Sequence, residues 1–180
     1  MVEINCEGIV FLFLERSNIR IRRNKMEHES VRQMWNTYLE SIGENSANTN
    51  KKYNSWHFCD NEIDANELAE LVLEGTKKAT ASLYLSYEYE KDELPKKEDL
   101  NIIINWNGVA QCILQTTNVD IVPYKDVTEE FAATEGEGDK SLAYWKRAHW
   151  NYFSSEMKKI GMEPNEDMLV VCEKFEVVYK

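Results

Sequence analysis

The chain has 180 residues, of which 43% are hydrophobic and 29% are charged, and these proportions are ordinary for one globular domain. Its formal net charge of −11 argues against a broad surface for duplex DNA, because such a surface must neutralise many phosphates. The apolar runs are all far shorter than the roughly 20 residues of a membrane span, so no membrane partner is expected.

The four cysteines, at positions 6, 59, 112 and 172, lie far apart and include no C-x-x-C pair. This spacing favours neither a disulfide framework nor a zinc site. Cys112 and Cys172 lie in apolar runs and are interpreted as buried thiols. We therefore expect no metal and no other cofactor, and a reducing cytoplasm is the simplest compartment.

Residues 1–25 differ from the rest of the chain in charge, with five basic and three acidic residues in a protein that is otherwise strongly acidic. Two arginines followed by Asn-Lys precede Met26, and codons for this run can form a bacterial ribosome-binding sequence. We hypothesise that residues 1–25 are a leader and that residues 26–180 are a single domain. The alternative is an edge strand over 9–14 with a basic tail, and the intact mass of the natively expressed protein distinguishes the two.

Two helices are predicted in the first part of that domain. Apolar residues recur at helical spacing over 31–42, with Ser30 placed to cap the start and Gly43 to end the helix. A polar, Asn-rich loop follows. The sequence at 64–67 then has the form of a capping box, and Gly75 stands where a helix C-terminal glycine belongs.

The pattern then changes to strands, with helices between them. The Asn107-Gly108 pair predicts a two-residue hairpin. Strands are predicted at 79–85, 102–105, 109–117 and 168–179, a short helix at 127–133, and a longer helix at 140–160 closed by Gly161. Together these elements predict one α+β domain, a mostly antiparallel curled sheet or small barrel with flanking helices.

The segment 75–82 combines charge and hydroxyl groups at the junction of a helix and a strand. A tight turn presents Lys77 and Lys78, and the strand after it places Thr80 and Ser82 on one face. Such a group can bind an anion. It can also supply a nucleophile and a base, since a desolvated lysine can have a lowered pKa. The alternative is a solvated turn followed by an ordinary strand edge.

A second candidate segment, 134–139, alternates three carboxylates with two glycines. Asp139 is placed to cap the helix that follows. Glycines allow the backbone to approach a ligand closely, and a carboxylate there can act as a general base. The alternative is an acidic, flexible helix entrance.

Aromatic residues form a third group. Trp56 and Phe58 follow the Asn-rich loop, and Tyr84, Tyr87 and Tyr89 follow the strand after Lys77. These rings can stack on a nucleobase or simply pack within the protein.

Taken together, these motifs resemble those of ASCH domains. The resemblance rests on G-x-K-x-x-T-x-S at 75–82, on E-G-E-G-D at 135–139 with Trp145 and His149, and on the run at 167–175. It extends over roughly residues 30–178. It implies a PUA-like β-barrel with a cleft between barrel and helices, and an RNA fragment or a modified nucleoside as partner.

One branch of that family hydrolyses N4-acetylcytidine with a lysine, a nucleophilic threonine and a glutamate. The motifs match these roles to Lys77, Thr80 and Glu135, with Glu137 as a nearby rival of Glu135. The implied substrate-binding residues are Ser82, Glu137, Asp139, Trp145, His149, Trp56 and Tyr84. The chain departs from that branch at Ser82, where an arginine is expected, and this leaves the substrate open.

The hypothetical mechanism is that of an amidohydrolase. Lys77 assists deprotonation of Thr80, Thr80 attacks an acyl carbonyl, and Glu135 returns the proton to the departing amine. His149 belongs to this site only if the long helix packs across the cleft, and it is otherwise a satisfied core histidine. The alternatives are a non-catalytic module that binds RNA or a nucleotide, and a ribonuclease.

Overall fold

A five-stranded sheet forms the centre of the protein, for which a computed structural model describes residues 27–180. The hypothesis about a leader at 1–25 lies outside the described residues. The strand order is β1-β3-β4-β5-β2, and only the β1–β3 pair is parallel. The strands are β1 (Tyr53–Trp56), β2 (Ala79–Leu83), β3 (Leu100–Ile104), β4 (Ala110–Pro123) and β5 (Leu169–Tyr179).

The helices flank this sheet. They are α1 (Glu29–Ser41), α2 (Glu62–Leu73), α3 (Tyr84–Glu90), α4 (Glu129–Glu135) and α5 (Leu142–Lys159), and a 3-10 turn spans Tyr124–Asp126. Irregularities in register interrupt β4 twice in its pairing with β5, and such bulges increase the twist of a sheet. The predicted α+β class, a mostly antiparallel curled sheet with flanking helices, is confirmed, and within residues 27–180 the sheet is open.

Two adjacent residues of β3 lie in different clusters of the apolar core. Ile102 packs with α1 in one buried cluster, whereas Ile103 packs with α2 and Phe58 in another. A third cluster joins α4 and α5 to β2 and β5. Because side chains alternate along a strand, β2 directs Ala79 and Leu83 into this third cluster and leaves Thr80 and Ser82 on its other face. Burial of the Cys112 and Cys172 thiols is confirmed, and it raises the pKa of each to about 12.

The caps of the first two helices differ from the prediction. His28 caps α1, because its side chain accepts from the amide of Ser30, and Ser30 instead accepts from the amide of Ala110. Asn61 caps α2, which therefore begins before the predicted capping box.

Two further local predictions are wrong. Residues 84–90 form α3 rather than a continuation of the strand, so Tyr84 begins a helix. Ser141 caps α5, and Asp139 accepts a hydrogen bond from the Ser141 amide instead of capping the helix itself.

Candidate functional site

The turn after α2 places Lys77 in the interior. Gly75 adopts a φ of +76°, which favours glycine, and the amides of Thr76 and Lys77 both donate to the carbonyl of Leu71. The chain folds back so tightly that Lys77 is 1% exposed, whereas the neighbouring Lys78 is exposed. Of the two adjacent lysines, the one that the motif match selects is thus the buried one.

The end of α4 docks directly on this turn. The Lys78 amide donates to the carbonyl of Thr134 at 3.0 Å. Gly136 follows with a φ of +78°, and a Cβ added there would lie 2.3 Å from the carbonyl oxygen of Thr76. Only a glycine allows this approach, so Gly136 holds the acidic segment against the lysine turn.

Lys77 lies between two carboxylates. Its Nζ donates to Oε1 of Glu135 at 3.2 Å and to Oε1 of Glu137 at 2.6 Å. It also lies 5.1 Å from the ring centroid of Phe58, within cation–π range. The side chains of Lys77 and Glu135 are buried, while that of Glu137 is 19% exposed. Glu137 is therefore the member of this ion cluster that solvent reaches.

Glu135 is the centre of the cluster. Its Oε1 also accepts from the amide of Ala81 at 3.1 Å, and its Oε2 accepts from the indole N–H of Trp145. His149 Nε2 lies 3.6 Å from Oε1. Burial alone would raise the pKa of Glu135, but the charges of Lys77 and His149 and these hydrogen bonds lower it to about 2. Glu135 is therefore a carboxylate throughout the physiological pH range.

His149 is held in one orientation by Trp145. The two rings stack with centroids 4.1 Å apart, and His149 Nδ1 lies 3.0 Å from the backbone carbonyl of Trp145. A carbonyl can only accept, so Nδ1 carries a hydrogen and Nε2 faces Glu135. Burial is the largest single effect and lowers the pKa of His149, but Glu135 and Glu137 together outweigh it and the pKa is raised. This arrangement favours the imidazolium.

The pKa of Lys77 shifts in the opposite direction from that expected. Burial alone would lower its pKa, but Glu135 and Glu137 together raise the pKa above its ordinary value. The expectation of a lowered lysine pKa is therefore wrong. Within residues 27–180 no hydrogen bond joins Lys77 to Thr80, and an ammonium group cannot accept the threonine proton.

A cavity of about 350 Å³ lies above this cluster, between α2, β2 and α5. Six of the predicted site residues line it, namely Thr80, Ser82, Glu135, Glu137, His149 and Trp56. Within the cavity wall, Ser82 Oγ is 2.9 Å from the Tyr87 hydroxyl, and the Trp56 indole donates to Asn101.

The other four predicted site residues lie outside the lining. Lys77 is beneath the cavity, where it contacts Glu135 and Glu137. Trp145 is buried behind Glu135, Asp139 is exposed at the start of α5, and Tyr84 begins α3. The Gly75–Ser82 and Glu135–Asp139 segments do converge, but Asp139 is turned away from the cavity.

The cavity lining is acidic, which the sequence did not indicate. Seven carboxylates line it, whereas no lysine or arginine of the described chain does so. The five that were not predicted are Asp60, Asp64, Glu67, Glu156 and Glu173. Glu173 lies in the 167–175 run that contributed to the resemblance, and that was its only signal in the sequence.

Among residues 27–180 there is no group of three His, Cys, Asp or Glu side chains arranged to hold a metal ion. Nor does this part of the chain contain a helix with the length and apolarity needed to cross a bilayer.

Comparisons with known proteins agree with this architecture. The chain is 39% identical to the ASCH domain of Lactobacillus crispatus JV V101, whose crystal structure superposes with a TM-score of 0.80 over 87% of this chain and 99% of that chain. It is 32% identical to a protein of Enterococcus faecalis V583, with a TM-score of 0.73 over 83% of this chain and 88% of that one. No curated protein matches it. The sequence model of the ASCH domain matches residues 54–179, and the chain therefore belongs to the ASCH domain family.

Proposed function

We propose that this protein hydrolyses the amide of a small acylated nucleoside such as N4-acetylcytidine, with Thr80 as the nucleophile. The observation that carries the proposal is the shared cavity. Thr80 lines the same 350 Å³ space as Glu135 and Glu137, which Lys77 holds in place, and as His149, whose Nε2 faces Glu135. A hydroxyl beside fixed charges in a cavity of this size is the arrangement that acyl transfer requires.

The charge of the lining favours a nucleoside over RNA. Seven carboxylates lie in the described lining, and although Lys77 contacts two of them and Lys159 a third, the excess of negative charge repels phosphate groups, and RNA binding depends on phosphate neutralisation. This opposes both the ribonuclease and the RNA-binding alternatives. Partly exposed aromatic side chains of the lining, among them Trp56 and Tyr144, offer flat surfaces on which an uncharged base can stack.

The reaction divides into two acyl transfers. Thr80 Oγ attacks the acyl carbon, the C–N bond breaks, and the proton lost by the Thr80 hydroxyl ends on the departing amine. Water then hydrolyses the acyl-threonine ester, which releases the acid and restores the Thr80 hydroxyl. His149 lines the cavity, and its raised pKa favours the charged form, which would supply positive charge for the tetrahedral oxyanion. Lys77 fixes the positions of Glu135 and Glu137 rather than acting as a base, because its pKa is raised.

Glu135 has a different role from the proton carrier inferred from the motifs. It is an anion stabilised by Lys77, Trp145, His149 and the Ala81 amide, so it is a weak base and is not protonated at neutral pH. These contacts support an electrostatic role, in which Glu135 keeps Lys77 and His149 charged.

The test is conversion of N4-acetylcytidine to cytidine and acetate, followed by chromatography. Replacing Thr80 by valine keeps the shape of the side chain and removes the hydroxyl, and we expect a rate loss of at least about a hundredfold. Thr117→Val is the matched control, because Thr117 is exposed on β4 and lies outside the cavity lining. Turnover by Thr80→Val at the rate of Thr117→Val would exclude the nucleophile role. Cytidine binding by the wild type without any turnover would instead identify a non-catalytic binding module.

A further inference from the structure

The strand β2 lies at the edge of the described sheet, with β5 as its partner on one side. In an antiparallel pair, the N–H and C=O groups of every second residue are directed to the partner strand, and those of the residues between are directed away from it. The amide of Phe175 donates to the carbonyl of Lys78 at 2.9 Å, so bonding to β5 falls on the even-numbered residues of β2. The main-chain groups of Ala81 and Leu83 are therefore directed to the outer edge of the sheet.

A hydrogen bond at this outer edge supports the alternation. The Ala81 amide donates to Oε1 of Glu135 at 3.1 Å, so it is directed away from β5. Glu135 also lines the cavity, and the outer edge of β2 therefore runs along the cavity wall. The next two main-chain groups along this edge are the carbonyl of Ala81 and the amide of Leu83. They are a hydrogen-bond acceptor and a donor side by side.

The cavity meets this part of β2 at its main chain. Ala81 and Leu83 both line the cavity, although their side chains pack in the apolar cluster on the other face of the strand. Because their side chains are directed there, these two residues present main-chain groups to the cavity. Leu83 is extended, with a φ of −77° and a ψ of 122°. Extended main chain at a sheet edge can bond to a ligand as it bonds to another strand.

We infer that this edge binds the base of the substrate, with the Ala81 carbonyl accepting a hydrogen bond from N4–H and the Leu83 amide donating one to N3. The inference rests on the proposed function and narrows its substrate class. An acylated cytosine whose N4–H is on the N3 side presents a donor beside an acceptor, which is the complement of this edge. Uracil has an acceptor at position 4 and a donor at position 3, so it places like groups against each other. The edge therefore selects cytosine over uracil.

This placement of the base agrees with the position of Thr80. Thr80 precedes Ala81 in β2 and pairs with Glu173 of β5, so an acyl group on N4, directed away from N3, extends along the strand towards Thr80. A base bonded edge to edge with β2 lies near the plane of the sheet, and its conjugated acyl group lies in nearly the same plane. The Thr80 side chain projects out of that plane. A nucleophile approaches a carbonyl carbon from outside the amide plane, and Thr80 is placed for this approach.

Nucleoside binding to the wild type tests the pairing without any variant. In 3-deazacytidine a C–H group replaces N3, which removes the acceptor for the Leu83 amide, and uridine reverses both groups. In calorimetry we expect 3-deazacytidine to bind about tenfold more weakly than cytidine, and uridine at least about a hundredfold more weakly. Equal affinities for the three nucleosides would overturn the inference.

A single-atom change in the protein tests the Leu83 amide itself. Leucic acid, the α-hydroxy analogue of leucine, replaces the N–H at Leu83 by an ester oxygen and keeps the side chain. We expect cytidine binding to weaken about tenfold and 3-deazacytidine binding to change by less than about twofold. The matched control is leucic acid at Leu85, which lies outside the lining and whose N–H, in the first turn of α3, has no acceptor within the helix. Equal weakening of both ligands, or a cytidine affinity equal to that of the control, overturns the role of this amide.

Binding and turnover together separate this inference from the proposed function. A wild type that prefers cytidine over both analogues but does not hydrolyse N4-acetylcytidine supports the edge and overturns the hydrolase. Hydrolysis of N4-acetylcytidine with equal affinities for the three nucleosides overturns the edge alone. Absence of both nucleoside binding and turnover overturns the two together.

Discussion

Replacing Lys77 by methionine removes one buried positive charge and leaves the carboxylates of Glu135 and Glu137 without it. Breaking a buried ion pair by removing one partner costs about 3–5 kcal/mol. The pKa of Glu135 points in the same direction, because it is lowered to about 2 despite burial and Lys77 is the largest of the groups that lower it. We therefore expect Lys77→Met to lower the free energy of unfolding by about 3–5 kcal/mol at pH 7.

Urea unfolding followed by tryptophan fluorescence measures this change, and Lys78→Met provides the control. Lys78 has the same side chain at the next position but is exposed, so its replacement should change stability by less than about 0.5 kcal/mol. The pH dependence supplies a second check. Without Lys77 the pKa of the buried Glu135 rises, so Glu135 binds a proton more readily in the folded protein and the variant loses stability as pH rises. The loss in free energy of unfolding of Lys77→Met relative to wild type should be smaller at pH 5 than at pH 8. Equal stabilities of the two variants at pH 7 would refute the account of Lys77 as a buried charge held by two carboxylates.

Four other predictions concern charge, backbone geometry and ligand. Because the folded-state pKa of Glu135 is about 2, its contribution to stability is complete above pH 4.5 and is lost as pH falls towards 2. In urea unfolding, the stability of Glu135→Gln should therefore fall less steeply with decreasing pH than that of wild type, and parallel plots of stability against pH would contradict this. The raised pKa of His149 stabilises the protein below pH 6.5, and this contribution is lost as pH rises through the folded-state pKa. An NMR titration of its ring protons should therefore have a midpoint above 6.5, and a midpoint below that value would count against the Glu135 contact. Gly136→Ala should lower the unfolding temperature more than Gly43→Ala, since both need positive φ but only the first places its Cβ against the Thr76 carbonyl; equal losses would rule out the close approach. Cytidine 5′-monophosphate should bind at least about tenfold more weakly than cytidine in calorimetry at low salt, and the difference should narrow as salt rises, whereas equal affinities would refute the charge selection inferred from the lining.

Local patterns in the sequence were sufficient to predict the elements that are encoded by residues close together in the chain. The apolar spacing predicted α1, α2 and α5, and the Asn107-Gly108 pair predicted the β3–β4 hairpin. The predicted two-residue turn is wrong, because residues 105–109 connect the two strands. The strand β1 was not predicted, because its four residues show no alternation and its partner β3 is distant in sequence. Where β2 ends is also set by distant residues. Its pairing with β5 stops at Leu83, and the aromatic run beyond it then forms a helix instead of extending the strand.

The site itself could be predicted only in part, for a related reason. Motif resemblance brought Lys77 and Glu135 together although 58 positions separate them in the chain, which no spacing rule does. The protonation state of Lys77 could not be predicted from the sequence, because its pKa depends on which carboxylates lie beside it. The pairing of Glu173 with Thr80 could not be predicted either, since it depends on the register of two strands that are far apart in sequence.

The position of β5 has a consequence for the order in which the protein is assembled during synthesis. It follows all the other strands in sequence, yet it lies between β4 and β2, and β2 has its only pairing in the described sheet with β5. A nascent chain that has emerged only as far as α5 can form the β1–β3–β4 sheet but has no partner for β2. Until residues 169–179 leave the ribosome, the backbone N–H and C=O groups on one edge of β4 are unpaired, and β2, which carries Thr80, has no strand to pair with in the described sheet. Chaperone binding during translation should therefore persist until this strand emerges.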